Sequence, residues 1–450
     1  MQYIKSRYIQ VIPLDETYSL VYHSLYGNLV KVSFSVIELL NHIEMKSLDS
    51  LSMNGKKSIE YLIEKGFLVQ KGIDERLWIE NQLKERPQKL KKGALIGDVQ
   101  LSVSNQCNMR CKYCFEKKFE NVGIRDYGSK MDFSIAKEAM EKVIENAKRN
   151  GRKAIKVTFF GGEPLTNKEV IKQILNYFGD GSNYGIFIQY SIDTNGILMD
   201  EEMAKLFGKY NVLVNLSIDY VGKGGQYRAD GSAGGHFSQF DRSMQLLHKY
   251  GVTTYFLTVL SQDTFAKFNT DLLDYAKRYD VKGNDVLLAF DLDFEKEHSV
   301  REVVEKIVNY FIYGRKLKIF VGGYWGDMID QLERNNIRTY EGYKSCPGIG
   351  NRLSIEPNGD VFACKSSSKM YGNIKEFEQI FQSKQYQEYG MRVYRNSESC
   401  NGCQIEGVCA GACLGTLENK FDNITIMDSF LCQIYKMLIP KILKAKYKDN

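Results

Sequence analysis

Residues 99–114 read Val-Gln-Leu-Ser-Val-Ser-Asn-Gln-Cys-Asn-Met-Arg-Cys-Lys-Tyr-Cys, an apolar strand-like run followed by three cysteines within eight residues. A tetrahedral zinc site or an ordinary four-iron cluster uses four protein ligands, and this loop supplies three. Three thiolates on a [4Fe–4S] cluster would leave one iron open to a ligand that is not protein. The stretch therefore predicts a cluster-binding loop at the end of a strand.

The composition is that of an ordinary globular protein. The chain has 450 residues, 43% hydrophobic and 26% charged, and this length predicts two or three domains. A net charge of +6 is a weak reason to expect nucleic acid or a membrane as a partner, and we expect neither. No apolar run reaches the ~18 residues of a membrane span. Residues 1–7 lack the apolar core of a signal peptide, so we expect a cytoplasmic protein.

The ten cysteines are clustered, and in a cytoplasmic chain they favour metal binding over disulfides. The clusters are Cys107, Cys111 and Cys114; Cys346 and Cys364; and Cys400, Cys403, Cys409, Cys413 and Cys432. The five histidines lie outside them, which argues against Cys/His zinc sites and against a Cys–His nucleophile pair.

Strand-like and helix-like runs alternate between residues 94 and 330. The strands are predicted near 99–104, 155–160, 186–192, 212–218, 253–260 and 286–290, and the helices near 134–149, 168–178, 201–210, 237–250, 265–279 and 300–313. Six βα units predict an α/β fold with a parallel sheet, best described as a partial (β/α)6 barrel. Sites in such barrels lie at the C-terminal ends of the strands, where the cysteine loop also lies.

Other strand ends carry glycine or polar residues. The second strand leads into Gly161-Gly162-Glu163-Pro164 and the third into Asp193-Thr194-Asn195-Gly196. The fourth ends at Ser217-Ile218-Asp219 and leads into a glycine-rich segment, 222–235, that contains Arg228. Glycine permits close backbone approach to a ligand, although a tight turn explains any one of these segments as well. The glycine-rich segment lacks the phosphate-binding P-loop pattern.

Taken together, the cysteine pattern Cys107-x-x-x-Cys111-x-Tyr113-Cys114 and the Gly-Gly-Glu-Pro segment resemble the radical S-adenosylmethionine (SAM) superfamily over residues 95–315. The resemblance implies that SAM chelates the open iron and is cleaved to a 5′-deoxyadenosyl radical, which removes a substrate hydrogen. It also implies an electron donor such as flavodoxin or ferredoxin. The SAM contacts implied are Tyr113 at the adenine, the backbone of Gly161, Gly162 and Glu163 at the amino group, and Ser217 and Arg228 at the carboxylate or ribose.

Seven further cysteines lie beyond residue 340, and one or two structural zinc ribbons would be a plain explanation. Their spacing, with the segment Ile355–Val361, resembles the SPASM extension of radical SAM enzymes. The resemblance implies two auxiliary [4Fe–4S] clusters, three in all: one held by Cys400, Cys403, Cys409 and Cys432, the other by Cys346, Cys364 and Cys413. Residues 347–354 lack the additional cysteine of sulfatase-maturing members, so the second auxiliary cluster would have an open iron.

Lys365 is a second departure from the sulfatase-maturing members, which have an acid after the cysteine that matches Cys364. This departure argues against formylglycine formation. An open auxiliary iron would suit the thiolate of a substrate cysteine instead.

Residues 1–92 combine short strands near 8–12, 19–23, 29–32 and 67–69 with helices from 35 and near 57–65. The order of elements resembles the winged-helix-like domains that bind the leader of a precursor peptide, where an open sheet edge accepts an extended guest strand. A structural cap or a dimerisation domain is the alternative. The charged segment 82–92 is predicted to be a helix end and linker.

The sequence thus predicts a leader-recognition domain (1–92), a radical SAM barrel (93–335) and a SPASM domain (336–450). We expect an enzyme that installs cysteine thioether cross-links of the sactipeptide or ranthipeptide type in a ribosomally synthesised peptide. Asp219, Asp291 and Asp293, near strand ends, are candidate acid–base groups. The alternatives are another peptide modification on the same scaffold, such as a carbon–carbon or ether bond or an oxidation, and a non-enzymatic zinc- or peptide-binding protein.

Overall fold

A computed structural model describes residues 2–43, 52–116, 123–221, 228, 236–334, 346–392, 400–409 and 411–448. The elements form three sheets: a two-stranded, a three-stranded and a ten-stranded one. None of the helices in these ranges is both long enough and apolar enough to cross a membrane.

The N-terminal module contains the two small sheets. Strand β1 pairs antiparallel with β5, and β2, β3 and β4 form an antiparallel meander. The strands are β1 (Tyr3–Lys5), β2 (Ile9–Pro13), β3 (Tyr18–His23), β4 (Gly27–Ser33) and β5 (Leu68–Gln70), and the helices are α1 (Phe34–His42), α2 (Met53–Glu64), α3 (Arg76–Leu83) and α4 (Arg86–Lys91). The expected strands and helices are present, within about four residues at their ends; β1 was not predicted, because three residues are too few to show a period.

The helix end predicted within residues 82–92 is present, since α3 ends at Leu83, but the predicted linker is wrong because the segment continues into a packed helix, α4. Leu90 is buried, and Arg86 is only 1% exposed. The Arg86 guanidinium donates to the carbonyls of Gly390 (2.7 Å) and Ile349 (2.6 Å), which fixes the module to the C-terminal part of the chain. Charge alone misled the prediction, since this arginine satisfies buried carbonyls instead of facing water.

The centre of the molecule is a parallel sheet with helices on its outer face. Its strands are β6 (Asp98–Ser104), β7 (Ala154–Gly161), β8 (Phe187–Thr194), β9 (Leu213–Ser217), β10 (Thr254–Leu260), β11 (Gly283–Leu288) and β12 (Phe320–Gly322), adjacent in that order. The helices are α5 (Phe133–Arg149), α6 (Lys168–Phe178), α7 (Glu201–Lys209), α8 (Phe237–Lys249), α9 (Asp271–Arg278), α10 (Leu292–Glu297), α11 (Val300–Leu317) and α12 (Tyr324–Glu333). The six predicted βα units are confirmed, and the short seventh strand β12 was missed.

The C-terminal part continues this sheet. Strand β13 (Arg352–Ile355) pairs parallel with β6, and β14 (Asp360–Phe362) and β15 (Met370–Asn373) follow antiparallel. Arg352 forms a two-pronged ion pair with Asp98 (2.9 and 2.7 Å), opposite it in the register. The remaining helices are α13 (Phe377–Ile380), α14 (Lys384–Met391), α15 (Leu414–Phe421) and α16 (Ser429–Tyr447).

Alternation along the strands separates the core from the inner face of the barrel. In β6, Val99, Leu101 and Val103 are fully buried, whereas Gln100 and Ser102 contact polar groups of the C-terminal part. Because successive strand side chains point to opposite faces, the apolar set packs under the helices and the other set lines the inside. The inner face therefore has room for polar chemistry.

Candidate functional site

A cavity of about 390 Å³ lies at the C-terminal ends of the barrel strands. Cys107, Cys111 and Cys114 line it, and so does Cys413 from the C-terminal part of the chain. All six residues expected to contact SAM are among its walls: Tyr113, Gly161, Gly162, Glu163, Ser217 and Arg228. Residues far apart in the sequence therefore converge on one space.

Two glycines allow the cysteine loop to lie directly against the end of β7. A Cβ atom on Gly161, whose φ is +146°, would lie 1.9 Å from the Ser104 carbonyl oxygen, and one on Gly162 would lie 2.6 Å from that of Gln106. The Gly162 and Glu163 amides donate to the same two carbonyls, at 2.8 and 2.7 Å. Only glycine fits at these positions, since the neighbouring atoms are backbone.

The Glu163 carboxylate is held inside the protein. It accepts hydrogen bonds from the Thr194 hydroxyl (2.6 Å) and from the amides of Asn195 (2.8 Å) and Leu165 (3.0 Å). Burial raises its pKa, which these three donors partly offset. This side chain connects the end of β7 to the end of β8. The Glu163 backbone is engaged as well, since its amide donates to Gln106 and its carbonyl accepts from Thr166.

Tyr113, Asp219 and Arg228 form one hydrogen-bonded group. The Tyr113 hydroxyl donates to Asp219 and accepts from the Arg228 guanidinium (2.7 and 3.0 Å), which also stands 3.7 Å from Asp219. Asp219 further accepts from the Val259 amide (2.9 Å). Burial is the main cause of the raised pKa of Tyr113. The Asp219 carboxylate, a predicted acid–base candidate, is thus engaged in holding the aromatic ring.

The other two candidate acid–base residues do not line the cavity. Asp291 caps helix α10 by accepting from the Phe294 amide (2.8 Å). Asp293 is 79% exposed and pairs with Lys296 (2.8 Å). The sequence placed both aspartates near a strand end but carried no signal for the short helix that turns them outward.

The ten thiols fall into three groups. Burial and the neighbouring thiols raise the pKa of Cys107 and of Cys364 to about 12, and that of Cys403 to about 11. Electrostatic interactions between thiols, which raise their pKa values, define the groups. They join Cys107 with Cys111 and Cys114; Cys364 with Cys346 and Cys413; Cys403 with Cys409 and Cys432; and Cys432 with Cys400.

These thiol groups fit iron–sulfur clusters. All ten cysteines are free of disulfides, and within the described ranges no set of three or more candidate ligands is close enough to hold a single metal ion. In a [4Fe–4S] cluster each thiolate binds a different iron, which spreads the ligands apart. Binding would release the protons that burial keeps on these thiols. The group of three at the cavity has the donor count for a cluster with one open iron.

Comparisons with known proteins agree with this site. The radical SAM superfamily matches residues 101–274, and an iron-sulfur cluster-binding domain, SPASM, matches residues 346–404. The radical SAM cyclopropyl synthase TigE of Paramaledivibacter caminithermalis is 33% identical over 98% of this chain and 96% of its own. This chain belongs to the radical SAM superfamily. It is therefore an enzyme of the radical SAM/SPASM maturase type, which uses SAM and [4Fe–4S] clusters.

Other proteins resemble this radical SAM enzyme over a shorter part of the chain, or resemble it only in fold. A cysteine-type anaerobic sulfatase-maturating enzyme of Clostridium novyi is 26% identical over 76% of this chain and 94% of its own. The structure of anSMEcpe with bound AdoMet matches at TM-score 0.64 and 20% identity, covering 78% of this chain and 99% of the other. Streptococcus suis SuiB bound to precursor peptide SuiA matches at TM-score 0.51 and 15% identity, covering 95% and 99%.

A buried set of charges joins the cysteine loop of this radical SAM enzyme to its SPASM domain. Lys365, 1% exposed, contacts Asn105 (2.7 Å) and Glu356 (3.1 Å) and lies 3.6 Å from Glu116, which lines the cavity. Arg125 contacts the same two glutamates, at 3.2 and 3.3 Å. The side chains of Lys365 and Arg125 thus face the two carboxylates, and the Lys365 ammonium points toward them. Sequence reasoning singled out the lysine but not its partners, which come from other segments.

The N-terminal module of this radical SAM enzyme packs against the loop that carries Cys400, Cys403 and Cys409. The Gly407 amide donates to the Ser24 carbonyl (2.6 Å), and a Cβ atom on Gly407 would lie 2.5 Å from that oxygen. Arg76 pairs with the buried Glu406 at 3.2 Å. The module therefore forms part of the wall around this thiol group, which no sequence pattern indicated.

Proposed function

We propose that this enzyme acts on a ribosomally synthesised peptide and closes a cyclopropyl ring within one of its residues, by forming a carbon–carbon bond. One observation carries the proposal: the named cyclopropyl synthase matches along nearly the whole of both chains, at 33% identity. The sulfatase-maturating relative is less similar and leaves about a quarter of this chain uncovered. Ring formation is one of the carbon–carbon alternatives to the thioether that the sequence suggested.

Three [4Fe–4S] clusters would be held by the three thiol groups: Cys107, Cys111 and Cys114; Cys346, Cys364 and Cys413; and Cys400, Cys403, Cys409 and Cys432. These first three cysteines would hold the cluster at which SAM binds, and SAM would supply there, on reductive cleavage, the radical that takes a hydrogen atom from the substrate. An external one-electron donor such as flavodoxin or ferredoxin would provide the electron.

The chain's own residues would bind and orient the reactants. Tyr113, held by Asp219 and Arg228, would present a fixed ring to the adenine, and the backbone at Gly162 would approach the amino group of SAM. Leu257, Val259, Leu287, Leu288 and Leu431 line the cavity with apolar surface. Such walls exclude water from a reactive carbon radical.

The N-terminal module, residues 1–92, would bind the leader of the substrate peptide. Tyr18 and Phe34 are 43% and 57% exposed, and their backbones lie close together, since the Phe34 amide donates to the Thr17 carbonyl (2.9 Å). Exposed aromatic side chains of this kind are typical of peptide-binding surfaces.

Replacing both Tyr18 and Phe34 by serine tests the docking role. We expect weaker binding of a fluorescent precursor peptide, by roughly tenfold or more, with SAM cleavage in the absence of peptide unchanged. Tyr177, 44% exposed on the barrel surface, provides a matched control as Tyr177→Ser. Equal peptide affinity of the double variant and wild type would place the leader elsewhere.

Co-expression with the neighbouring precursor peptide tests the activity. Cyclopropyl formation removes two hydrogens, so the modified residue should lose about 2 Da, stay resistant to hydrogenolysis of carbon–sulfur bonds, and show the shielded ring protons of a cyclopropane by NMR. A peptide of unchanged mass, or one whose two lost hydrogens reflect an alkene, would contradict the proposal.

A thioether cross-link is the second candidate, favoured by Cys413. This thiol belongs to a three-cysteine group and lines the same cavity as Cys107, Cys111 and Cys114, so an open auxiliary iron there could bind a substrate thiolate. A thioether also costs the peptide two hydrogens. Replacing every cysteine of the precursor by alanine separates the candidates: the 2 Da loss persists for a cyclopropyl ring and disappears for a thioether.

A further inference from the structure

Among the described residues, three carboxylates line the cavity, and two of them are engaged by protein groups. Both oxygens of Glu163 accept hydrogen bonds from the protein, as described above. Glu116 pairs with Arg125 at 3.2 Å and faces Lys365 at 3.6 Å. The third, Asp193, has a different environment.

Asp193 lies near the C-terminal end of β8 and is directed into the cavity. One of its oxygens accepts from the Asn215 amide at 2.7 Å, across the register from it on β9. The other oxygen has no hydrogen-bond partner in the part of the chain that the structure describes. Asp193 therefore offers a carboxylate oxygen that is held in a fixed direction and open to whatever occupies the cavity.

We propose that Asp193 is the catalytic residue that accepts the proton released when the cyclopropyl ring closes. This inference rests on the proposed function. Two C–H bonds break and one C–C bond forms: one hydrogen leaves as an atom to the SAM-derived radical, and the second leaves as a proton to Asp193. The remaining electron would pass to an auxiliary iron–sulfur cluster, the one-electron acceptor, for which Cys413, which also lines the cavity, would be a ligand.

The surroundings of Asp193 favour this role. Burial raises its pKa, so protonation is easier than for an exposed aspartate, while the Asn215 hydrogen bond and Lys156 retain the charged form before the reaction. A positioned base with a raised pKa contributes typically 10²–10⁴-fold to a proton transfer. Asn215 donates and cannot accept the proton itself, which leaves the aspartate as the acceptor.

The test is Asp193→Asn, which keeps an oxygen for Asn215 but removes the basic group. With a precursor peptide deuterated at the reacting side chain, we expect transfer of deuterium to 5′-deoxyadenosine to continue. The amount of cyclised peptide formed per 5′-deoxyadenosine should fall roughly 100-fold or more. The substrate radical that does not cyclise should instead be reduced, so that a hydrogen from solvent is found in the uncyclised peptide. Peptide affinity, measured by fluorescence anisotropy on unreduced protein, should stay within about twofold of wild type.

Asp293→Asn is the control, because it makes the same substitution at an aspartate that pairs with Lys296 on the surface and does not line the cavity. It should retain the wild-type ratio of ring to 5′-deoxyadenosine. Three results would overturn the assignment. Asp193→Asn could keep the wild-type ratio of cyclised peptide to 5′-deoxyadenosine, lose the deuterium transfer, or lose affinity for the peptide. If wild type itself forms no ring, the proposed function fails, whatever the variant does.

Discussion

Replacing Lys365 by methionine should destabilise the enzyme strongly, because it leaves buried carboxylates with too little positive charge. Methionine preserves the length of the side chain but removes the ammonium that contacts Glu356 at 3.1 Å and lies 3.6 Å from Glu116. Burial would raise the pKa of Glu356, and Lys365 and Arg125 hold it below its ordinary value instead. In the variant, Arg125 alone faces both glutamates.

Removing one partner of a buried ion pair costs about 3–5 kcal/mol. Because Arg125 remains within 3.3 Å of each carboxylate, we take the lower end, about 3 kcal/mol. At roughly 2 °C per kcal/mol for a large domain, the unfolding midpoint should fall by about 6 °C. Anaerobic differential scanning calorimetry of the cluster-loaded enzyme measures this shift.

Lys369→Met is the matched control from the same loop. Lys369 pairs with Asp422 at 3.1 Å, but the two side chains are 46% and 83% exposed, so the loss should be 0–1 kcal/mol. Adding Glu356→Gln to Lys365→Met should recover part of the stability, since it removes an unpaired charge. Equal midpoints for Lys365→Met and Lys369→Met would refute the reasoning.

Two further predictions concern the barrel. Gly162→Ala should weaken SAM binding by roughly 1–3 kcal/mol, measured by equilibrium dialysis, because the added Cβ meets backbone oxygen at 2.6 Å. Gly128→Ala is the control, because its Cβ would have its nearest contact at 3.5 Å, and this variant should bind SAM normally. Equal SAM affinities for the two variants would contradict the prediction. Burial, with Asp327 and Asp193, raises the pKa of Asp285 to about 6, so stability should fall as pH rises through about 4–6. Asp285→Asn should therefore raise the free energy of unfolding at pH 8, by on the order of 1 kcal/mol, and change it little at about pH 3.5. The same gain at both pH values would exclude the charge as the cause.

The periodic parts of the fold could be predicted from the sequence. The barrel strands and helices are long enough to show alternation and amphipathic spacing, and their predicted ends agree with the structure to within about three residues for most of them. Strands β1 and β12, three residues each, carry no such pattern. The buried position of Arg86 depends on carbonyls about 260 to 300 residues away, which local sequence does not reveal.

The site was predictable where the residue type itself is the signal. The cysteine spacing and Gly161-Gly162 identified residues that line the cavity. Few residue types other than cysteine bind iron–sulfur clusters, and few other than glycine can lie so close to backbone oxygen. Carboxylates carry no such signal. Asp219, Asp291 and Asp193 all lie at or just beyond the end of a strand. Only their partners in space distinguish one that holds an aromatic ring, one that caps a helix and one that faces the cavity.

The parallel pairing of β13 with β6, secured by Arg352 and Asp98, has a consequence for protein engineering. Cys107 follows β6, and Cys346 and Cys364 flank β13 and β14 of the same hydrogen-bonded sheet, so these thiols cannot move apart without breaking the ladder. The backbone pairing of the sheet therefore sets the distance between these thiols. A chimera that exchanges SPASM domains between relatives must therefore bring β13 and its register with it, or the transplanted cluster will sit at the wrong distance from the substrate.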